Sequence, residues 1–150
     1  MTQKALTTKT SISFLTQLLI VPVTDNTAMV SNNATYKAYE FTPALPAKKM
    51  LWYRRHYLSN ERDWSNAEAS PLLWEGEWGL LSKKALVVVG GLDVLREEGE
   101  RYGEKLREAG VDVKVVVMEG MPHPFLAMDS VMKAGSDTIT LMVESLKEVF

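Results

Sequence analysis

The chain has 150 residues, 46% hydrophobic and 24% charged, with a formal net charge of −2. That is the make-up of one globular domain, and it offers no basic run to track nucleic-acid phosphates or an anionic surface. Cysteine is absent and the two histidines, His56 and His123, form no HExxH-type pair. Disulfides, thiolate chemistry and cysteine metal sites are therefore excluded, no metal or other cofactor is expected, and the composition fits a reducing, cytoplasmic compartment.

In chain order, residues 1–10 (MTQKALTTKT) read as the end of a helix trailing into a loop. The apolar run ISFLTQLLIVPV at 12–23 follows Lys4 and Lys9, an arrangement faintly like a signal peptide. It is shorter than the ~20 residues a membrane span needs, and Gln17 and Pro22 interrupt it, so no span is expected. QLLIVPV (17–23) instead has the near-continuous apolar pattern of a parallel strand covered on both faces. Residues 24–37 are polar and rich in turn formers, hence loop. A helix is predicted over 46–58, with Pro46 in its first turn. Ala47, Met50, Leu51, Arg54 and Leu58 fall on one face, widened by Trp52, Tyr53 and Tyr57. Residues 59–84 are irregular, with Trp64, Trp74 and Trp78 spread through them.

Beyond residue 84 the periodicity becomes clean. ALVVVG (85–90) is a second buried strand, and 94–109 a helix whose Leu95, Gly99, Tyr102, Leu106 and Ala109 share a side. Gly99 and Gly103 each cost about 1 kcal/mol against alanine in a helix, which makes sense if the helix lies tight on a sheet. Glu97 is placed to meet Arg101 at i, i+4, and Gly110 ends the helix as a left-handed cap residue. VDVKVVVME (111–119) is a third strand, and 130–149 a last helix with Ile139, Met142, Val143, Leu146 and Val149 inward. The alternation of strand and helix predicts an α/β fold with parallel strands joined by crossovers.

In such a sheet functional groups gather beyond the carboxyl ends of the strands. Asp93 follows the second strand and His123 the third, 30 residues apart, which is about one strand–helix–strand unit. Both side chains are thus expected on one rim, on neighbouring strands. An acid beside a histidine is two thirds of a nucleophilic triad, in which the carboxylate fixes the imidazole tautomer. Each residue also has a plainer reading: Asp93 as a helix N-cap, His123 as a loop histidine between Pro122 and Pro124.

The segments QLLIVPVTD, ASPLL and LVVVGGLDVLREEGERYGEKLREAGVDVKVVVMEGMPHPFLAM resemble, in order, the C-terminal half of alpha/beta hydrolases of the hormone-sensitive-lipase-like branch. The most specific part is a Gly-x-x-Asp-x-Leu-x-x-Glu-Gly pattern matched by Gly90, Asp93, Leu95, Glu98 and Gly99. The resemblance implies a partial alpha/beta-hydrolase sheet of about three parallel strands with flanking helices and part of a helical cap, the cap-like insertion lying at about 38–80. It also implies Asp93 as triad acid, His123 as base, Trp52 and Tyr53 as wall residues of an acyl pocket, and a hydrophobic ester-like small molecule as ligand. One departure is Pro124 where the family usually has glycine; proline drives the preceding residue towards extended angles.

The 150 residues contain no G-x-S-x-G pentapeptide and no glycine-rich oxyanion loop. In family order both precede the acid and base, so the expectation is a C-terminal portion of a serine carboxylesterase or lipase, with Met1 internal to a longer chain and no activity alone. The alternatives are a non-catalytic relative that binds a hydrophobic small molecule or partner chain, and an unrelated small α/β domain. A half-sheet would leave the strand at 17–23 as an apolar edge, so self-association is expected.

Overall fold

Among the described residues three parallel strands form one sheet. The structure is a computed structural model and describes residues 3–4 and 13–150; the helix end expected within 1–10 therefore falls largely outside the described residues. β1 (Thr16–Ile20), β2 (Lys84–Gly90) and β3 (Asp112–Met118) pair in the order β1-β2-β3, with Leu18 opposite Leu86 and Val88 opposite Val116. The helices are α1 (Ala34–Ala38), α2 (Ala47–Tyr57), α3 (Arg96–Glu108) and α4 (Lys133–Lys147). Short 3-10 turns occupy Glu61–Asp63, Pro71–Leu73, Trp78–Leu80 and His123–Met128.

β2 is buried from Ala85 to Gly90 because each face carries its own layer. On one face Ala85 packs with Tyr102 and Leu106 of α3. On the other, Leu86 and Val88 pack with Phe125, Leu141 and Met142. This double covering is why the strand reads as a continuous apolar run. A third cluster, including Tyr36, Leu45, Met50, Val94 and Leu95, lies between the residues of α1–α2 and the segment that follows β2.

The two glycines of α3 perform the close approach expected of them. A Cβ on Gly99 would sit 2.6 Å from Val89 Cγ1, and one on Gly103 2.6 Å from Val115 Cγ2. Gly110 ends the helix with φ +85°.

Several expectations need correction. β1 stops at Ile20 and not at residue 23: Val21 turns to φ 42°, though its N–H still donates to Val88 O at 2.7 Å. Residues 24–37 are not all loop, because Asn33 accepts the Tyr36 N–H at 3.0 Å and starts α1. Pro46 is the extended N-cap of α2, one residue before the first turn. Trp52, Tyr53 and Tyr57 are exposed, so they do not widen the buried face, which is Ala47, Met50 and Arg54. Glu97 does not pair with Arg101; it accepts the Ala34 N–H at 2.9 Å, and the i, i+4 ion pair is Arg96 with Glu100 at 3.0 Å. Ala109 is exposed.

The last helix is rotated relative to its apolar spacing. Ile139, Val143 and Leu146 are 41%, 44% and 38% exposed, while Gly135 and Thr138 are buried. Gly135 allows this: a Cβ there would lie 2.6 Å from the Asp129 backbone, so the helix seats on the 123–128 turn through its smallest residues.

Candidate active site

The strand tips of β2 and β3 are tied by their own backbones. The Gly91 N–H donates to Met118 O at 2.8 Å and the Leu92 N–H to Met121 O at 3.0 Å. Glycine is required for this contact, since a Cβ on Gly90 would come within 2.7 Å of Met121 O. Gly120, at φ +71°, turns the chain after β3. The two loops thus leave the sheet side by side and carry Asp93 and His123 together.

Asp93 is fully buried. Its Oδ1 accepts the Leu95 N–H at 3.0 Å, and its Oδ2 lies 2.9 Å from His123 Nδ1. Asp93 is not the N-cap expected of it, since Leu95 holds that position without a side-chain cap bond; one Asp93 oxygen instead steadies the turn before α3 and the other faces the imidazole. A carboxylate oxygen only accepts, so the proton of the 2.9 Å bond belongs to Nδ1 and the lone pair is left on Nε2. His123 opens the 3-10 turn, and Pro122, at φ −80° and ψ 170°, is the extended residue. His123 therefore does not take the extended angles expected before Pro124, and its imidazole reaches Asp93.

His123 also forms part of the wall of a cleft of about 710 Å³. Leu45, Met50, Tyr53, Tyr57 and Leu95 supply much of its apolar surface. Tyr53 is in the wall as expected. Trp52 is not; its ring stacks on His56 at 3.9 Å and meets Tyr53 edge-on at 5.1 Å. Among the described residues no group of three His, Cys, Asp or Glu side chains is placed to hold a metal ion.

Two buried ionisable residues were given no role by sequence reasoning. Glu98 is fully buried; its Oε1 accepts the N–H groups of Thr24 (2.7 Å) and Asp25 (3.1 Å), and Thr24 Oγ1 donates to Glu98 O at 2.8 Å. These bonds pin the segment after β1 to α3. Burial pushes the Glu98 carboxyl up to about 8, against the opposing pull of those two N–H groups. The signal was its spacing, three residues after Leu95 and four before Tyr102, on the apolar side of α3. Arg54 is 1% exposed, donating to Ala28 O (2.9 Å) and Tyr36 Oη (3.0 Å) with the Trp64 ring 5.2 Å away. Its position on the inward face of α2 was legible, its partners were not.

Parallel strands, crossover helices and an acid–histidine pair at adjacent strand tips define an α/β hydrolase architecture. The chain belongs to the alpha/beta hydrolase fold family, whose model matches residues 1–127. It is 50% identical over 119 residues to an AB hydrolase superfamily protein of Schizosaccharomyces pombe, covering 79% of this chain and 35% of that protein. It is 29% identical over 132 residues to an ethyl acetate hydrolase of Pseudomonas putida, covering 88% of this chain and 40% of that one. A solved esterase of Rhizomucor miehei superposes with a TM-score of 0.86 at 33% identity, over 97% of this chain and 44% of the esterase. The chain thus spans 35–44% of the length of these relatives.

Proposed function

We propose that these residues supply the acid and base of a serine-type carboxylic ester hydrolase. The observation that carries the reading is the 2.9 Å contact between Asp93 Oδ2 and His123 Nδ1, with His123 in the wall of an apolar cleft. Asp93 holds the imidazole with Nε2 facing a nucleophile; Nε2 takes the hydroxyl proton during attack on the ester carbonyl and returns it to the leaving alkoxide. The substrate would be a hydrophobic ester-like small molecule, and residues 38–80, which contribute Leu45, Met50, Tyr53 and Tyr57 to the cleft, would act as its cap. The activities for which the relatives are named, on ethyl acetate among others, support this class.

The 150 residues contain no G-x-S-x-G, so the nucleophile and oxyanion donors belong to a longer chain in this proposal, and these residues alone give no turnover. In a longer chain carrying that motif, Asp93→Asn lowers kcat about 10⁴-fold. In the present chain, nitrogen NMR of His123 shows the Nδ1–H tautomer, and Asp93→Asn abolishes that preference. A His123 tautomer indifferent to Asp93, or ester turnover by the chain alone that His123→Ala abolishes, refutes the assignment.

The absence of that pentapeptide favours a second reading, a non-catalytic relative that binds an apolar small molecule or partner chain in the cleft. Saturable binding of a hydrophobic ester without turnover, in the longest chain that can be expressed, would select it. In either case β1 pairs only with β2 among the described residues, and we expect association through its other edge. Among the described residues no helix is long and apolar enough to cross a membrane; a cytoplasmic site of action is part of the proposal.

A further inference from the structure

The turn that carries Asp93 is held from two sides. On the sheet side the Leu92 N–H donates to Met121 O at 3.0 Å and the Asp93 N–H to Gly90 O at 3.3 Å. On the other side two hydroxyls reach it from residues 34–45, the segment that leads into α2. Thr42 Oγ1 donates to Leu92 O at 2.6 Å, and Thr35 Oγ1 to Val94 O at 2.8 Å. Thr42 is buried. Thr35 has a second acceptor within reach, Asn33 Oδ1 at 3.0 Å, but that oxygen already takes the Tyr36 N–H. A hydroxyl has one proton to give, and the nearer acceptor is Val94 O.

Each bond acts on Asp93 through a rigid peptide plane. The Leu92 carbonyl shares its plane with the Asp93 N–H, so Thr42 fixes the rotation of the chain as it enters Asp93. The Val94 carbonyl shares its plane with the Leu95 N–H, the donor that Asp93 Oδ1 accepts at 3.0 Å. Thr35 thus holds the group that holds the carboxylate. With Oδ1 anchored, Oδ2 stands 2.9 Å from His123 Nδ1. The same segment supplies Leu45 to the cleft wall, and the Ala47 N–H, donating to Glu40 O at 2.9 Å, seats the start of α2, whose Met50 and Tyr53 line the cleft as well.

We propose that Thr35 and Thr42 are positioning residues: their hydroxyls carry the placement of the cleft wall to the Asp93 carboxylate, and through it keep the proton on His123 Nδ1. This rests on the acid–base reading of Asp93 and His123 above. If the hydroxyls only satisfied carbonyls, their loss would lower stability and leave the imidazole as it is.

The test is nitrogen NMR of the chain, read as the ratio of Nδ1–H to Nε2–H tautomer in neutral His123, with urea unfolding alongside. Thr42→Val and Thr35→Val keep the side-chain shape and remove the hydroxyl; each is expected to lower that ratio about five-fold, the worth of one hydrogen bond. Thr42→Ser, which keeps the hydroxyl, holds it at the wild-type value. Ser82→Ala removes a buried hydroxyl before the opposite end of β2 and leaves it unchanged. A ratio unchanged in either valine variant, a fall matched by Ser82→Ala, or a fall of the same size in Thr42→Ser overturns the positioning role and leaves the Asp93–His123 pair standing. A wild-type chain with no Nδ1–H preference overturns the pair and the inference together. If Thr42→Val does not fold, Thr35→Val, at the less buried hydroxyl, decides alone.

Discussion

The substitution Glu98→Gln isolates one buried proton. In the unfolded chain a glutamate releases its proton near 4.5; in the fold Glu98 holds it to about 8, chiefly because burial penalises the charge. Between those values the folded state binds more protons than the unfolded one, so stability contributed by the neutral carboxyl is full below pH 4.5 and is lost as pH rises to 8. At about 1.4 kcal/mol per pH unit the whole excursion is roughly 5 kcal/mol, a large part of the 5–15 kcal/mol typical of a domain. Glutamine mimics the protonated acid: its carbonyl oxygen can accept from Thr24 and Asp25, and it does not titrate. Urea unfolding of both proteins at pH 5, 7 and 9 measures the difference directly, and because other groups titrate alike in both, their contributions cancel. The glutamine amide that replaces the unpartnered Oε2 adds a fixed offset, and on top of it the variant should gain on the wild type between pH 5 and pH 9 by on the order of 5 kcal/mol. A difference that stays constant across this range, or grows in favour of the wild type, would show that Glu98 is ionised in the fold and that the argument from burial is wrong.

Two further outcomes follow from packing and capping. Gly99→Ala and Gly103→Ala would normally gain about 1 kcal/mol in a helix; here each new methyl meets a valine at 2.6 Å, and overpacking of about 1–3 kcal/mol outweighs the gain, so both variants should unfold at lower urea. Asn33→Ala removes the side chain that accepts the Tyr36 N–H and should lower stability by about 1 kcal/mol, with amide exchange accelerated first in 34–38.

The resemblance to the alpha/beta hydrolases, the three parallel strands, the tight seat of α3 and the nearness of Asp93 to His123 were all legible in the residues. Period and spacing carried most of this: a strand buried on both faces writes a continuous apolar run, and 30 residues between Asp93 and His123 fit one crossover unit. Those are local properties repeated along the chain, and they survive any detail of packing. What the tertiary structure alone decided is of another kind. The face α4 turns inward is set by Gly135, whose missing side chain permits the contact with Asp129, and not by the apolar stripe of Ile139, Val143 and Leu146. Trp52 leaves the cleft and Tyr53 enters it because a helix presents neighbouring residues about 100° apart, and only the position of α2 over the strand tips selects between them. The burial of Arg54 and the raised proton affinity of Glu98 arise because the fold removes water from groups that sequence shows only as charged letters; desolvation is a property of the surrounding atoms, and those are assembled from segments far apart in the chain.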